Sequence, residues 1–341
     1  MLFSHFPRVK LVHAPTPLEF LSRLTEQLGG PKIYIKRDDA TGLATGGNKT
    51  RKLEFLIGDA LAQGATHVIT QGATQSNHVR QTIAAANKFG LKTIVLLEQR
   101  VSNGADEYYT NGNVLLDEIL GAHIEVVAGG TDLQAALINK AQQLKEQGEK
   151  PYIIPGGGSN AIGALGYVAT AIELIHQLND LQLKPSALVH ATGSTGTQAG
   201  LLAGIAVTHS DLPVLGISVR AEKTKQEENV YQLARETLQH LQVNPDILER
   251  SKVQANSDYV GEGYGIPTPA MVEAVELLAR TEGILLDPVY SGKGFAGLVD
   301  LIRQGHFSKE DTVIFLHTGG AVGLFGYRSA FSHHAPYRLA E

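Results

Sequence analysis

The feature that most constrains the fold is a recurring order. A short apolar run is followed by a loop rich in Gly, Thr, Ser or Asn, and then by a helix-like stretch. The apolar runs lie at 33–35, 67–69, 93–97, 124–127, 152–154, 187–189, 214–219, 284–286 and 312–316. Helices are predicted over 49–63, 75–89, 133–147, 198–208 and 270–281. The last has Val272, Val275, Leu278 and Ala279 at the i, i+3, i+4 spacing of a buried helical face. Strands that alternate with helices are joined by crossovers, so the order predicts parallel βαβ units and an α/β protein. A length of 341 residues allows about two domains. No fixed-period repeat or Pro/Ser-rich linker divides the chain, and the charged stretch 140–150 reads as a solvated helix face. The domains are therefore expected to be interleaved rather than strung in series.

Several function classes are excluded early. The chain has no cysteine, which removes disulfides, Cys-ligated zinc, iron–sulfur clusters and thiol nucleophiles. Its net charge of −5 offers no broad basic face, so neither nucleic acid nor an anionic membrane surface is an expected partner. The uncharged stretches 151–172 and 185–210 carry many Gly, Ser, Thr and Asn residues. They are read as buried strands with polar loops rather than membrane spans. The first residues lack the apolar core of a signal peptide, and a cytoplasmic location is expected. His333 and His334 form an adjacent pair near the terminus, read as solvated side chains; no metal site is expected.

Glycine is in excess. There are 37 copies, above the ordinary share of about 7%. Of these, 22 fall in seven segments, at 41–48, 71–77, 156–166, 191–200, 261–265, 292–297 and 317–326. In open parallel sheets ligands bind at the carboxyl ends of strands, where glycine lets backbone N–H groups approach an anion. The recurrence of hydroxyl and amide residues beside the glycines favours one shared ligand cleft over independent turns.

Two segments carry the chemistry. Gly193, Ser194, Thr195, Gly196 and Thr197 follow an apolar strand and open a helix, the arrangement that cups a phosphate. This segment itself lacks G-x-G-x-x-G, and no acidic ribose partner lies at the expected place, so a phosphate monoester fits better than a dinucleotide. Gly42 to Lys49 comes within one residue of a Walker A loop, but Asn48 intrudes before the lysine and no acidic magnesium ligand follows a strand. Lys49 instead begins a helix beside Arg51 and Lys52. Neighbouring cations and partial burial would favour its neutral amine, the form that attacks a carbonyl; from the local sequence alone a solvated surface lysine is an equal alternative. A lysine for an aldehyde and a cup for a phosphate together point to pyridoxal 5′-phosphate.

At this level of detail the chain resembles a known family. Thr45-Gly46-Gly47-Asn48-Lys49-Thr50-Arg51-Lys52-Leu53-Glu54, Gln75-Ser76-Asn77-His78, Leu286-Asp287-Pro288-Val289-Tyr290 and His317-Thr318-Gly319-Gly320 are similar to motifs of the aminocyclopropane-carboxylate deaminase/D-cysteine desulfhydrase family. These are pyridoxal-phosphate enzymes of the tryptophan-synthase β-like fold (fold type II), and the similarity runs from about residue 5 to residue 330. The resemblance implies two open, mostly parallel sheet domains with the cofactor between them: 1–50 with 161–341 forming the large domain, and 51–160 the small one. It also implies a homodimer.

The same resemblance implies roles. Lys49 would hold the cofactor's aldehyde and act as the base; Asn77 would bond the ring's 3′-oxygen. Ser76 with the backbone of Asn77 and His78 would take the substrate carboxylate. Gly193 to Thr197 would cradle the phosphate, with Lys52 adding charge. Tyr290 would lie against the cofactor, Tyr264 would line the substrate pocket, and Tyr290 or Ser76 would assist Lys49. The deaminases have a glutamate after the tyrosine of Asp-Pro-Val-Tyr; here it is Ser291, so Ser291 or Thr318 would face the ring nitrogen. That departure disfavours cyclopropane opening.

The stretches 111–117, 226–231 and 259–265 most resemble the L-cysteate sulfo-lyase members. The leading expectation is therefore α,β-elimination on L-cysteate, giving pyruvate, ammonia and sulfite. D-cysteine desulfhydration is the alternative, and aminocyclopropane-carboxylate deamination follows behind. His78, Arg220 and Lys223 are the candidate donors for a sulfonate. A cofactor-binding protein without catalysis is opposed by the intact Lys49, Ser76, Asn77 and Tyr290.

Overall fold

The computed structural model describes residues 2–101 and 104–331. The pair His333 and His334 lies outside them. Two sheets organise the chain. The larger is built from β1 (Leu18–Phe20), β2 (Lys32–Arg37), β7 (Ala187–Thr192), β8 (Val214–Ser218), β9 (Gln254–Asn256) and β10 (Thr312–His317). Its spatial order is β1-β2-β10-β7-β8-β9, parallel except for β1. The smaller is fully parallel, in the order β5-β4-β3-β6, with β3 at His67–Ala73, β4 at Lys92–Glu98, β5 at His123–Val127 and β6 at Pro151–Ile153.

The helices are α1 (Ser22–Leu28), α2 (Lys49–Ala62), α3 (Asn77–Lys88), α4 (Asp106–Thr110), α5 (Asn113–Ile119), α6 (Leu133–Glu146) and α7 (Ala161–Asp180). After these come α8 (Gly196–Val207), α9 (Lys223–His240), α10 (Pro269–Glu282) and α11 (Ser291–Arg303). The α/β class and the parallel sheets agree with the sequence pattern. Val189, Phe315 and Ile35, from three adjoining strands, lie in one apolar cluster with helical Phe295 and Leu298. Leu188, Ile314 and Leu316 face the other side, against Leu165, Val168 and Leu202. The larger sheet is thus covered on both faces, as a parallel sheet requires.

Three expectations are corrected. Residues 284–286 form a loop rather than a strand. Ile284 and Leu286 are buried while Leu285 is 52% exposed, so the run alternates without joining a ladder. The stretch 151–172 is not strands with loops: after β6 it enters α7, and 185–210 likewise contains helix α8. By length and composition α7 could cross a membrane, but it packs among α2, α8 and α9, with Leu165, Tyr167, Val168 and Leu174 in the core. Finally, the segment 292–297 is not a loop. It lies within α11, where a β-carbon on Gly294 would come 2.9 Å from the Ala191 backbone N of β7. Gly166 and Gly200 serve helix packing in the same way; their β-carbons would meet the Arg51 and Ala164 carbonyl oxygens at 2.2 and 2.3 Å. Part of the glycine excess therefore seats helices closely rather than admitting a ligand.

Both sheets have a switch point where successive crossovers leave in opposite directions. In the small sheet it falls between β3 and β6, in the large one between β7 and β10. Crevices outside the carboxyl ends of strands at such points are where open α/β sheets bind ligands. The loops after these four strands supply the walls described next.

Candidate active site

A cavity of about 330 Å³ lies between the sheets. One side is lined by Gln71, Gly72, Ser76, Asn77 and His78 after β3 and by Gly156, Gly157 and Ser159 after β6. The other is lined by Gly193, Ser194, Thr195 and Thr197 after β7 and by Thr318 and Gly319 after β10. Asn48, Lys49, Tyr264 and Tyr290 close it, and Arg100 and Arg220 complete the lining.

Lys49 begins α2, and that helix is anchored by buried ions. Arg51 pairs with Asp38 at 2.7 Å and Glu173 at 2.8 Å, while the Tyr167 hydroxyl donates to Asp38 at 2.6 Å. Arg51 is therefore occupied by carboxylates and is not the cation that acts on Lys49. Burial is the main cause that brings the Lys49 ammonium down to about 8; Asp287 opposes it and Arg80 adds to it. Its Nζ donates to Asn48 Oδ1 at 3.0 Å and sits 6.0 Å from the centre of the Tyr290 ring. The sequence reading of a lysine biased toward its neutral form agrees, with the responsible cation changed.

Helix α3 aims its first turn at the cleft. Ser76 is the N-cap, its Oγ accepting from Val79 N at 3.2 Å. Among the described residues no acceptor is recorded for the Asn77 and His78 backbone N–H groups, which face outward as the unpaired donors of a helix start do. The His78 ring contacts Thr70 Oγ1 at 2.8 Å and is driven well below its ordinary titration range by burial, then by Lys49 and Lys52. It stays neutral, which removes it as a cation for a sulfonate.

Helix α8 brings a second set: among the described residues the Thr197 and Gln198 N–H groups of its first turn have no acceptor. Gly196 N donates to Ser159 Oγ at 3.1 Å, and Asn48 Nδ2 donates to Thr197 Oγ1 at 3.0 Å. Lys52 is fully buried behind this loop. Its Nζ donates to Gly157 O at 3.0 Å, and a β-carbon on Gly196 would lie 3.1 Å from it. Burial, and secondarily Lys49, pushes the Lys52 ammonium well below its usual range. A buried lysine that an incoming dianion would protonate, beside unpaired helix N–H groups, is a donor set suited to that dianion.

On the opposite wall the Tyr264 and Tyr290 hydroxyls are hydrogen-bonded to each other. Burial, with Tyr264 beside it, holds Tyr290 protonated far above the usual phenol range. Ser291 departs from expectation. Its Oγ donates to Asp287 Oδ1 at 2.6 Å, it is fully buried, and it does not line the cavity. The reason is local: Asp287 also accepts from the backbone N–H groups of Val289, Tyr290 and Ser291, closing the turn that leads into α11. Thr318 is the hydroxyl that lines the cavity. Of the sulfonate candidates, Arg220 lies exposed on the cavity wall, whereas Lys223 begins α9 outside the lining.

Residues not singled out in the sequence also take part. Arg100, just past the carboxyl end of β4, has its Nε 2.5 Å from Glu98 and its guanidinium 5.4 Å from the centre of the Tyr264 ring. Strand-end position was the available signal for Arg100, as for Gln71. Ser159 followed from the Gly156–Gly158 turn, and Arg80 had none.

Two mostly parallel sheets, a desolvated lysine and two helix N-termini facing one cavity between the sheets are the setting for an α/β enzyme with an anionic carbonyl cofactor. Comparison specifies the family. The description "Pyridoxal-phosphate dependent enzyme" matches residues 9–319. D-cysteine desulfhydrases of Salmonella typhi and Salmonella paratyphi C are 46% identical over 324 residues, 95% of this chain and 97% of theirs. A solved structure described as an ACC deaminase homologue has a TM-score of 0.88 at 39% identity, covering 97% of both chains. The chain belongs to the pyridoxal-phosphate dependent enzymes, in the branch that holds the ACC deaminases and D-cysteine desulfhydrases. It is a lyase, and its cofactor is pyridoxal 5′-phosphate.

Proposed function

We propose that the chain cleaves the carbon–sulfur bond of D-cysteine, taking up water and releasing pyruvate, ammonia and hydrogen sulfide. The near full-length 46% identity to D-cysteine desulfhydrases carries this reading over the L-cysteate expectation. Bound pyridoxal phosphate supplies an aldehyde for an amine and a ring that accepts the electron pair freed at Cα. Lys49 would hold that aldehyde until the substrate's amine takes its place, and the Lys49 amine so freed, desolvated by burial, would take the Cα proton. The Asn77 and His78 N–H groups, with Ser76, bind the substrate carboxylate at the start of α3. Gly193 to Thr197, Ser159 and Lys52 would hold the phosphate, Asn77 would hold the 3′-oxygen, and Thr318, which lines the cavity, would hold the ring nitrogen. Tyr290, kept protonated, has a proton to give the departing sulfur, and Tyr264 fixes its hydroxyl.

A second reading has one observation in its favour. Arg100 and Arg220 both line the cavity. A sulfonate gains charge-assisted bonds from such groups, whereas a thiol has no use for them. Pyruvate release from D-cysteine, L-cysteine and L-cysteate, measured side by side, separates the readings. Sulfide from D-cysteine at the highest kcat/KM is expected; sulfite from L-cysteate with no sulfide from D-cysteine overturns the proposal. The domains as divided above, a homodimer and a cytoplasmic location belong to the same reading. Sedimentation at micromolar concentration tests the dimer.

A further inference from the structure

Arg80 lies in α3 behind the cleft and is fully buried. Its guanidinium donates to Asn77 Oδ1 at 2.9 Å, to Gly46 O at 3.1 Å in the loop before Lys49, and to Asn113 Oδ1 in α5. Asn113 is itself held, its N–H donating to Gln75 Oε1 at 2.9 Å, while Gln75 Nε2 donates to the Tyr108 and Asn111 carbonyls at 2.8 Å. One planar group therefore ties together the lysine loop, the start of α3 and the start of α5.

A guanidinium has donors and no acceptor. The amide oxygen of Asn77 must face it, so the amide NH2 must point the other way. On that side stands Gly320, at φ +103°, where a β-carbon would come 2.6 Å from Asn77 Nδ2. Behind Arg80 lies Asp117, fully buried, whose carboxyl oxygens have no hydrogen-bond partner among the described residues. It interacts with Arg80 electrostatically instead.

We propose that Arg80 is a positioning residue that locks the Asn77 amide with its NH2 toward the cleft, so that the site presents a donor to the cofactor's anionic ring oxygen. Without Arg80 the amide can turn over and present its oxygen, which repels that anion. The inference rests on the proposed placement of the ring oxygen at Asn77, and the experiment separates the two.

Cofactor-free protein is titrated with pyridoxal 5′-phosphate and with its 3-deoxy analogue, which lacks the anionic oxygen. The variants are Asn77→Ala, Arg80→Met with Asp117→Asn (removing the guanidinium and the buried carboxyl behind it together), and all three changes combined. The Arg80 variant and Asn77→Ala should each weaken binding about tenfold, the scale of one hydrogen bond to a charged group. The combined variant should be no weaker than Asn77→Ala, because Arg80 acts through that amide. All should bind the 3-deoxy analogue alike. Losses that multiply, or an equal loss for the analogue, overturn the role of Arg80 while leaving Asn77 in place. Unchanged affinity in Asn77→Ala overturns the ring placement and the inference with it. Arg80→Lys, which keeps the charge but not the planar fork, should show the same loss and the same non-additivity; full affinity there refutes positioning by the fork.

Discussion

Replacing Lys52 with methionine separates stability from cofactor binding. The side chain is fully buried and donates to Gly157 O at 3.0 Å. Methionine fills similar space without charge. In the cofactor-free protein the change removes one hydrogen bond, worth about 0.5–1.5 kcal/mol, and also the cost of keeping the lysine's polar end from water. These oppose, so unfolding free energy should move by less than about 1 kcal/mol. With the phosphate bound, the change removes a charge-assisted bond worth about 1.5–3 kcal/mol, a loss of roughly 10- to 150-fold in affinity. Titration of cofactor-free protein should show that loss for pyridoxal 5′-phosphate and none for pyridoxal, which lacks the phosphate. The pH dependence follows from the same burial. Lys52 is pushed toward its neutral form before binding, and a bound dianion raises its pKa, so binding takes up a proton. Above pH 7 the wild-type affinity should therefore fall with rising pH, and Lys52→Met should flatten the slope. Equal losses for pyridoxal and its phosphate, or an unchanged slope, would refute the argument.

Lys49→Ala should leave no cofactor attached after borohydride treatment, read by intact-protein mass, and should lower turnover by at least about 10²–10⁴-fold, the range for a lost general base. In the cofactor-free wild type, Lys49 has a folded pKa of about 8 against 10.5 unfolded. The unfolded state then binds more protons between these values, so Lys49's contribution to stability rises from about pH 8 upward. Chemical denaturation of wild type and Lys49→Met at pH 8 and 9.5 should show that increment only in the wild type. Tyr264→Phe leaves the Tyr290 hydroxyl without its partner and should cost about 1–3 kcal/mol of transition-state stabilisation, read mainly in kcat. Arg220→Ala should barely change kcat/KM for D-cysteine while lowering any L-cysteate turnover, measured by pyruvate release.

What could be read from the sequence depended on whether a residue's role was local. Lys49, Asn77 and Thr195 begin or flank helices that follow loops at strand ends, and parallel sheets bring those loops together whatever their side chains. The cleft was legible for that reason. Helix α7 was not, because it is buried among α2, α8 and α9 and so lacks a polar face to mark its period. Its Gly and Thr residues read as loop when they serve close packing, as Gly166 does against Arg51 O. Ser291 was misplaced by one turn of geometry. It sits next to Tyr290 in sequence, but opening a helix turns its hydroxyl back to donate to Asp287. Arg80 shows the remaining limit. Its three acceptors come from residues 46, 77 and 113, and only the folded chain brings them to one guanidinium. The groups that touch a ligand can thus be found by motif and strand end. The groups that orient them are fixed by contacts between elements, and become visible only when the amide, its donor and the glycine opposite are seen together.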